Sequence, residues 1–347
     1  MHESTNLRRA TIRATLAAGV ALGLWVGVIA VGRVWGLGLL ADGRNLVLYA
    51  PPLLGFYRRE PFPDMRIGYV VGALAIIVVP FLARRLPWRA VLVAMPISAL
   101  VWAVGLAAID KESGLTHGLG WDNEFGRFVP KIAADPAGFL HGFVANIKFY
   151  DIQIRGHPPG FVLVLSLLER VGLQGVGWAA ALVIVVGSSA VAAVLLVVRD
   201  VAGEAQARRA APFVAIAPAA LWIATSLDAF LLGVTAWSVA LIVLAARRSG
   251  WRAVAGAIAG GILAGFGLML SYGMALMVAV IAPLVWSRRD DPGMRRSVAI
   301  GTGAAAGVLL AFVPLGFFWP AGLAATREEY KILDVDRPYS YFLIANL

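Results

Sequence analysis

Long uninterrupted apolar blocks dominate the chain, near 13–36, 67–83, 89–109, 176–198, 211–226, 229–247, 252–271, 273–287 and 297–319. A helix needs about 17–25 apolar residues to cross the hydrocarbon layer of a bilayer. The blocks lack the 3.6-residue stripe of a soluble helix, and Gly and Ala are abundant in them, as where membrane helices approach closely. They predict an all-α fold, a polytopic membrane helical bundle of about nine spans, read as one membrane domain over 1–347.

Composition agrees: 60% of residues are hydrophobic and 14% charged, against roughly 25% charged in a soluble domain. With no cysteine in the chain, disulfide, thiolate and zinc–sulfur chemistry are excluded. The net charge of +10 would invite a nucleic-acid reading in a soluble protein. Here it matches the Lys and Arg that cytoplasmic loops of membrane proteins collect, so no nucleic-acid partner is expected. Arg8, Arg9 and Arg13 precede the first block, which is too long for a signal-peptide core and reads as a retained span with a cytoplasmic N-terminus. The last residues, Tyr341–Leu347, look like the opening of a further span, so the C-terminus is expected to be incomplete.

Residues 158–174 pose a choice. Hydropathy alone permits a span, yet Ser166, Glu169, Arg170 and Gln174 share one helical face, which suits a helix at the interface or lining a cavity. If this segment does not span, Arg84, Arg85, Arg89, Arg199, Arg208, Arg209, Arg247, Arg248, Arg252, Arg288, Arg289, Arg295 and Arg296 fall on the cytoplasmic side with the N-terminus. If it spans, three of those clusters move outside. The positive-inside rule favours the non-spanning helix. The extracytoplasmic face then holds the 37–66 loop, the 110–175 loop with its interfacial helices, the turn at Ser226–Asp228 and the stretch 320–340.

The 110–175 loop carries most of the candidate chemistry. Phe139, Leu140, Phe143, Val144, Ile147 and Tyr150 recur at helical spacing and predict an amphipathic helix resting on the membrane surface. Two short motifs flank it. Trp121-Asp122-Asn123-Glu124-Phe125 sets two carboxylates close together, and Arg155-Gly156-His157-Pro158-Pro159-Gly160 sets a cation and an imidazole before a rigid double proline. The prolines suit a helix start, where free amides and His157 could face a phosphate. Each motif alone has a bland reading, as solvated loop acids or a helix start. Asp228 stands between two apolar runs, where an acid is a functional candidate by default; its structural alternative is to cap the following helix.

An acidic motif in an outer loop, a His-Pro-Pro at a juxtamembrane helix and an Asp at the next outer turn together resemble the GT-C superfamily of glycosyltransferases. The nearest likeness is to protein O-mannosyltransferases and the aminoarabinose transferases of lipid A, over roughly 90–250. Asp122-Asn123-Glu124-Phe125-Gly126-Arg127-Phe128 is similar to the Asp-Glu-x-His-Phe-Gly-Lys-Phe of the O-mannosyltransferases, one residue shorter. His157-Pro158-Pro159 matches their His-Pro-Pro or Lys-Pro-Pro, and Asp228 corresponds to their second outer acid. In those relatives the acidic motif follows the first span directly, whereas two further spans precede it here.

The resemblance implies transfer of a sugar from a polyprenyl-phosphate carrier to an acceptor outside the cell membrane. Asp122 or Glu124 would be the catalytic base; Arg155, His157 and Lys148 would bind the donor phosphate; Asp228, Asp151, Pro158 and Pro159 would position substrate. Membrane lipids are the expected surroundings. No cofactor is expected and no metal ligand set is assigned: His117, His141 and His157 have no recognisable ligand spacing. A divalent ion held by outer acids, as in some superfamily members, stays open. The competing readings are a transporter, against which no inverted repeat is evident, and a non-catalytic scaffold.

Overall fold

The computed structural model describes residues 2–41, 66–108, 114–119, 125–220, 225–332 and 339–345. It is 83% helix, with no strand among the described residues. Five of the expected spans appear as helices long and apolar enough to cross a bilayer. They are Thr15–Leu39 within α1 (His2–Ala41), α3 (Trp88–Ala107), α8 (Val176–Ala202), α10 (Leu227–Ala246) and α11 (Gly250–Leu270). The count of about nine is not confirmed among the described residues. The block near 67–83 lies within α2 (Arg66–Arg85). That near 211–226 is broken after Ala215, where α9 (Glu204–Ala215) ends in a turn over 216–219; residues 221–224 lie outside the described set. The block near 273–287 divides into a 3-10 turn (Tyr272–Leu276) and the short α12 (Met277–Ser287). That near 297–319 is α13 (Pro292–Ala311) followed by turns at 312–316.

The chain divides into two compact units. The first comprises Met1–Pro63 and Lys331–Leu347, in which Trp35 of α1 meets Tyr341 of the last helix edge-on at 5.9 Å. The second, Asp64–Tyr330, holds the remaining helices. In its bundle α8 packs on α10, α10 on α11 and α11 on α13, while α2 and α3 pack together and α3 continues onto α8. The sequence explains the closeness of the α11–α13 pair: a Cβ on Gly261 would strike the backbone of Gly301. Small residues let the two backbones touch where larger side chains would hold them apart.

Charge sorts to the two ends of this unit. At one end Asp200 bonds both Arg247 (3.0 Å) and Arg288. There too Arg208 donates to the carbonyls of Ala83 (3.0 Å) and Leu86 (2.8 Å), clasping the α2–α3 turn. The 114–119 and 125–175 segments fold at the other end. Gly118 packs against the Thr225 carbonyl, Gly160 against Met269 and Gly316 against His141, while Trp319 Nε1 donates to Leu268 O at 2.8 Å.

The helix predicted over 139–150 is broken. Asp135 caps α5 (Pro136–Gly142) by accepting from Gly138 N at 2.9 Å. The chain then turns over 143–146, where Asn146 Nδ2 donates to Gly142 O at 3.0 Å, and re-forms only as a 3-10 turn, Ile147–Phe149. Phe139, Leu140, Phe143 and Ile147 are buried in protein rather than laid on a membrane surface.

The 158–174 segment forms α7 (Gly160–Arg170), whose 11 residues rise about 16 Å, far short of the roughly 30 Å of a hydrocarbon core. Its polar residues do not share an outward face. Ser166 is buried with its hydroxyl donated to Val162 O at 2.8 Å, Glu169 lines a small cavity beside Leu119 and Val129, and the exposed positions include Leu167 and Val171. The inward face is Phe161, Val162 and Leu165, so α7 is anchored in the bundle.

Candidate active site

Three phenylalanines tie the singled-out motifs together. Phe125 follows Glu124, Phe161 follows Gly160 and Phe230 lies two residues beyond Asp228. The rings of Phe125 and Phe161 meet edge-on at 5.0 Å, and Phe161 meets Phe230 at 5.6 Å. All three are buried, Phe161 completely. Edge-to-face pairs have preferred geometry as well as apolar contact, so this chain fixes the backbone beside each motif relative to the others. Asp122 and Glu124 lie outside the described residues; Phe125 marks where their segment joins the core. Sequence reading missed these rings as a unit, although each sits inside or next to a motif.

Arg155 lies in the last turn of α6 (Ile152–Gly156) and faces the helix that follows Phe318. Its guanidinium reaches Glu329 of α14 (Trp319–Ile332) at 3.5 Å, and its carbonyl accepts from Thr326 at 2.8 Å. Arg155 Nε is buried and has no partner. The ion pair is long and half-buried, and a buried N–H left unpaired costs free energy; such a group is the natural place for an anion to bind. Glu329 and Thr326 were not singled out from sequence, where Thr326-Arg327-Glu328-Glu329 reads as a solvated run.

Tyr272 and Trp319 complete this corner, with rings 5.2 Å apart. Burial pushes the Tyr272 phenol up to about 12, with the nearby Thr326 hydroxyl opposing weakly. The Thr326 proton goes to Arg155 O, and the buried Tyr272 hydroxyl has no partner of bonding geometry.

Asp151, at the start of α6, carries a second unspent group. Arg127 holds its Oδ1 at 2.7 Å, while Oδ2 is buried and unpartnered. Arg127 itself lies over the Phe128 ring at 4.9 Å, so an aromatic wall aligns the cation that aligns the acid.

The other candidates separate. His157 is half-buried, its Nδ1 2.9 Å from Gln153 O. Pro158 and Pro159 are buried, with Pro159 just before the first turn of α7. At this helix start Gly160 lies so close to the Met269 backbone that a Cβ would not fit. Lys148 is exposed, its ammonium 5.0 Å from the Phe149 centroid, and no contact brings it to Arg155. Asp228 does not cap its helix. Ser226 does, its Oγ accepting from Asp228 N at 3.2 Å and donating to Asp228 Oδ2 at 3.3 Å. That leaves the exposed Asp228 carboxylate at the second helical position, free of the capping role. Among the described residues no group of three acids or histidines is placed to hold a metal.

The family model for dolichyl-phosphate-mannose-protein mannosyltransferase matches residues 156–318, which bears out the resemblance to the GT-C mannosyltransferases. The match runs from Gly156, taking in His157-Pro158-Pro159 and Asp228, and does not extend to the Trp121–Phe125 motif. A match of this kind points to a membrane glycosyltransferase. No curated protein and no solved structure matches the chain.

Proposed function

We propose that the protein transfers a sugar from a polyprenyl-phosphate carrier to an acceptor on the extracytoplasmic side of the cell membrane. The observation that carries this reading is Arg155. A half-buried arginine with a buried, unpaired Nε and a loose partner stands one residue before the matched family region and two before His157. A lipid-linked phosphate lies at the bilayer interface, where Arg155 and His157 would stabilise the negative charge that develops on it as the sugar departs. Lys148 would add charge at the rim.

In the proposed reaction an acceptor oxygen attacks the anomeric carbon. Its proton passes to Asp122 or Glu124, and the carbon–oxygen bond to the carrier phosphate breaks with inversion, releasing polyprenyl phosphate. Asp151 Oδ2 and Asp228 would accept hydrogen bonds from sugar or acceptor hydroxyls, and Pro158 and Pro159 would hold the Arg155–His157 segment rigid. In support, the Phe125–Phe161–Phe230 contacts tether all three motifs to one core.

The test is transfer by the purified chain in lipid nanodiscs, supplied with radiolabelled polyprenyl-phosphate mannose, arabinose or glucose and native envelope acceptors. Wild type should move label from at least one donor, and Arg155→Ala, Asp122→Ala or Glu124→Ala should abolish it. Equal transfer by the variants would overturn the residue assignment, and no transfer from any donor would overturn the function.

A further inference from the structure

A second cavity, of about 410 Å³, opens in the same loop region between α4 (Val129–Ala134), α5 and the 147–150 turn. That volume falls within the roughly 300–1,000 Å³ of small-molecule sites. Its walls are aromatic: Phe128, Phe139, Phe149 and Tyr150 line it. Tyr150 meets both Phe128 and Phe139 edge-on at 5.4 Å, whereas Phe149 is 64% exposed and has no ring packed on it among the described residues. The Lys148 ammonium stands over this ring at 5.0 Å, and the face away from that ammonium is the one open to stacking.

Polar groups of both kinds stand beside those rings. Lys131 is exposed with no partner among the described residues, Asp135 spends one oxygen on capping Gly138 N, and Asn146 spends its amide nitrogen on Gly142 O. Donors and acceptors thus remain unspent in one cleft. An anion would meet Asp135 and a cation would meet Lys131, while a neutral polyhydroxyl ring can use both. Its apolar C–H face matches an open phenyl ring. A polypeptide fits less well, since no strand edge exists among the described residues for an extended chain to join.

The cavity shares its wall with the active site. Tyr150 immediately precedes Asp151, and Phe128 carries Arg127, which bonds Asp151. We propose that this cavity is a subsite for the saccharide part of the acceptor, one sugar unit stacking on Phe149 with its hydroxyls bonded to Lys131, Asp135 and Asn146. The proposal rests on the glycosyl-transfer reading and names its acceptor as a glycan chain.

The experiment uses the full chain in nanodiscs and saturation-transfer NMR with mannotetraose, maltotetraose, an arabinofuranose tetrasaccharide and a Ser/Thr-rich peptide. At least one saccharide should show saturation at its ring C–H protons. Its Kd should rise about tenfold in Phe149→Ala, the scale of losing one aromatic stacking platform, and several-fold in Lys131→Ala. In the transfer assay the same variants should raise KM for the saccharide acceptor and leave KM for the polyprenyl-phosphate donor unchanged. No saccharide binding to wild type overturns the subsite, as does saturation of the peptide alone, or equal saccharide affinity in Phe149→Ala. Transfer that survives such a result leaves the enzymatic reading standing. Saccharide binding without any transfer sinks that reading and keeps the site.

Discussion

Replacing Phe161 with Ala removes the ring that links the Phe125 and Phe230 contacts. Deleting a buried Phe typically costs about 3–5 kcal/mol, and the two ring pairs at 5.0 and 5.6 Å account for roughly 0.5–1.5 kcal/mol each of it. In a membrane protein the unfolded chain keeps some of its partners, so the lower end of the range applies. The cleaner measurement is a double-mutant cycle. Phe125→Leu and Phe161→Leu each keep apolar volume and remove the edge-to-face geometry, so the pair should couple by about 0.5–1.5 kcal/mol. Unfolding would be followed by far-UV circular dichroism during SDS titration in mixed micelles, with transfer activity measured in parallel. Phe161→Ala should lose on the order of a hundredfold in turnover, because small misplacements of reacting groups cost that much. Additivity within about 0.3 kcal/mol, with wild-type turnover in Phe161→Ala, would refute the idea that these rings hold the motifs in register.

Other consequences follow from single contacts. Glu329→Gln frees Arg155 from its 3.5 Å partner; since such half-exposed pairs are worth about 0–1 kcal/mol, polyprenyl phosphate should bind up to about fivefold tighter, and weaker binding would show that Glu329 itself contacts the ligand. Gly160→Ala forces α7 away from Met269 and should cost about 1–3 kcal/mol in the same SDS titration, an unchanged midpoint being the contrary result. Tyr272, with its pKa raised from 10.0 to about 12, stays protonated in the folded protein while the unfolded chain ionises. Its contribution to stability is complete below pH 10 and is lost as pH rises from 10 towards 12. Tyr272→Phe should therefore flatten the fall in stability over that interval, and an unaltered alkaline profile would contradict the assignment.

The helices that cross the bundle are plain in the sequence because burial in lipid demands long apolar runs, as at Val176–Ala202 and Leu227–Ala246. The shortness of α7 is readable too, through the arginine clusters, which sort to one side only if 158–174 does not span. What hydropathy does not show is how a loop packs. Phe139–Tyr150 keeps its buried residues yet breaks at 143–146, where the backbone tightens from i→i−4 to i→i−3 bonds, Phe143 N to Leu140 O and Phe149 N to Asn146 O. Ser226 takes the cap next to Asp228 since its hydroxyl reaches the Asp228 amide. The Phe125–Phe161–Phe230 chain and the Arg155–Glu329 pair join residues far apart in sequence. No local period encodes such contacts, although the motifs that carry most of those residues are legible.

The central claim is that the Trp121–Phe125 loop, the Arg155–Gly160 segment and Asp228 work on one outer face, opposite the arginine-rich end. The chain has no cysteine, so single cysteines report position without background. In intact cells a membrane-impermeant maleimide should label Lys148→Cys and Asp228→Cys from outside, and label Arg209→Cys only after permeabilisation. Labelling of Lys148→Cys and Asp228→Cys from opposite sides, or of Arg209→Cys in intact cells, would contradict the account.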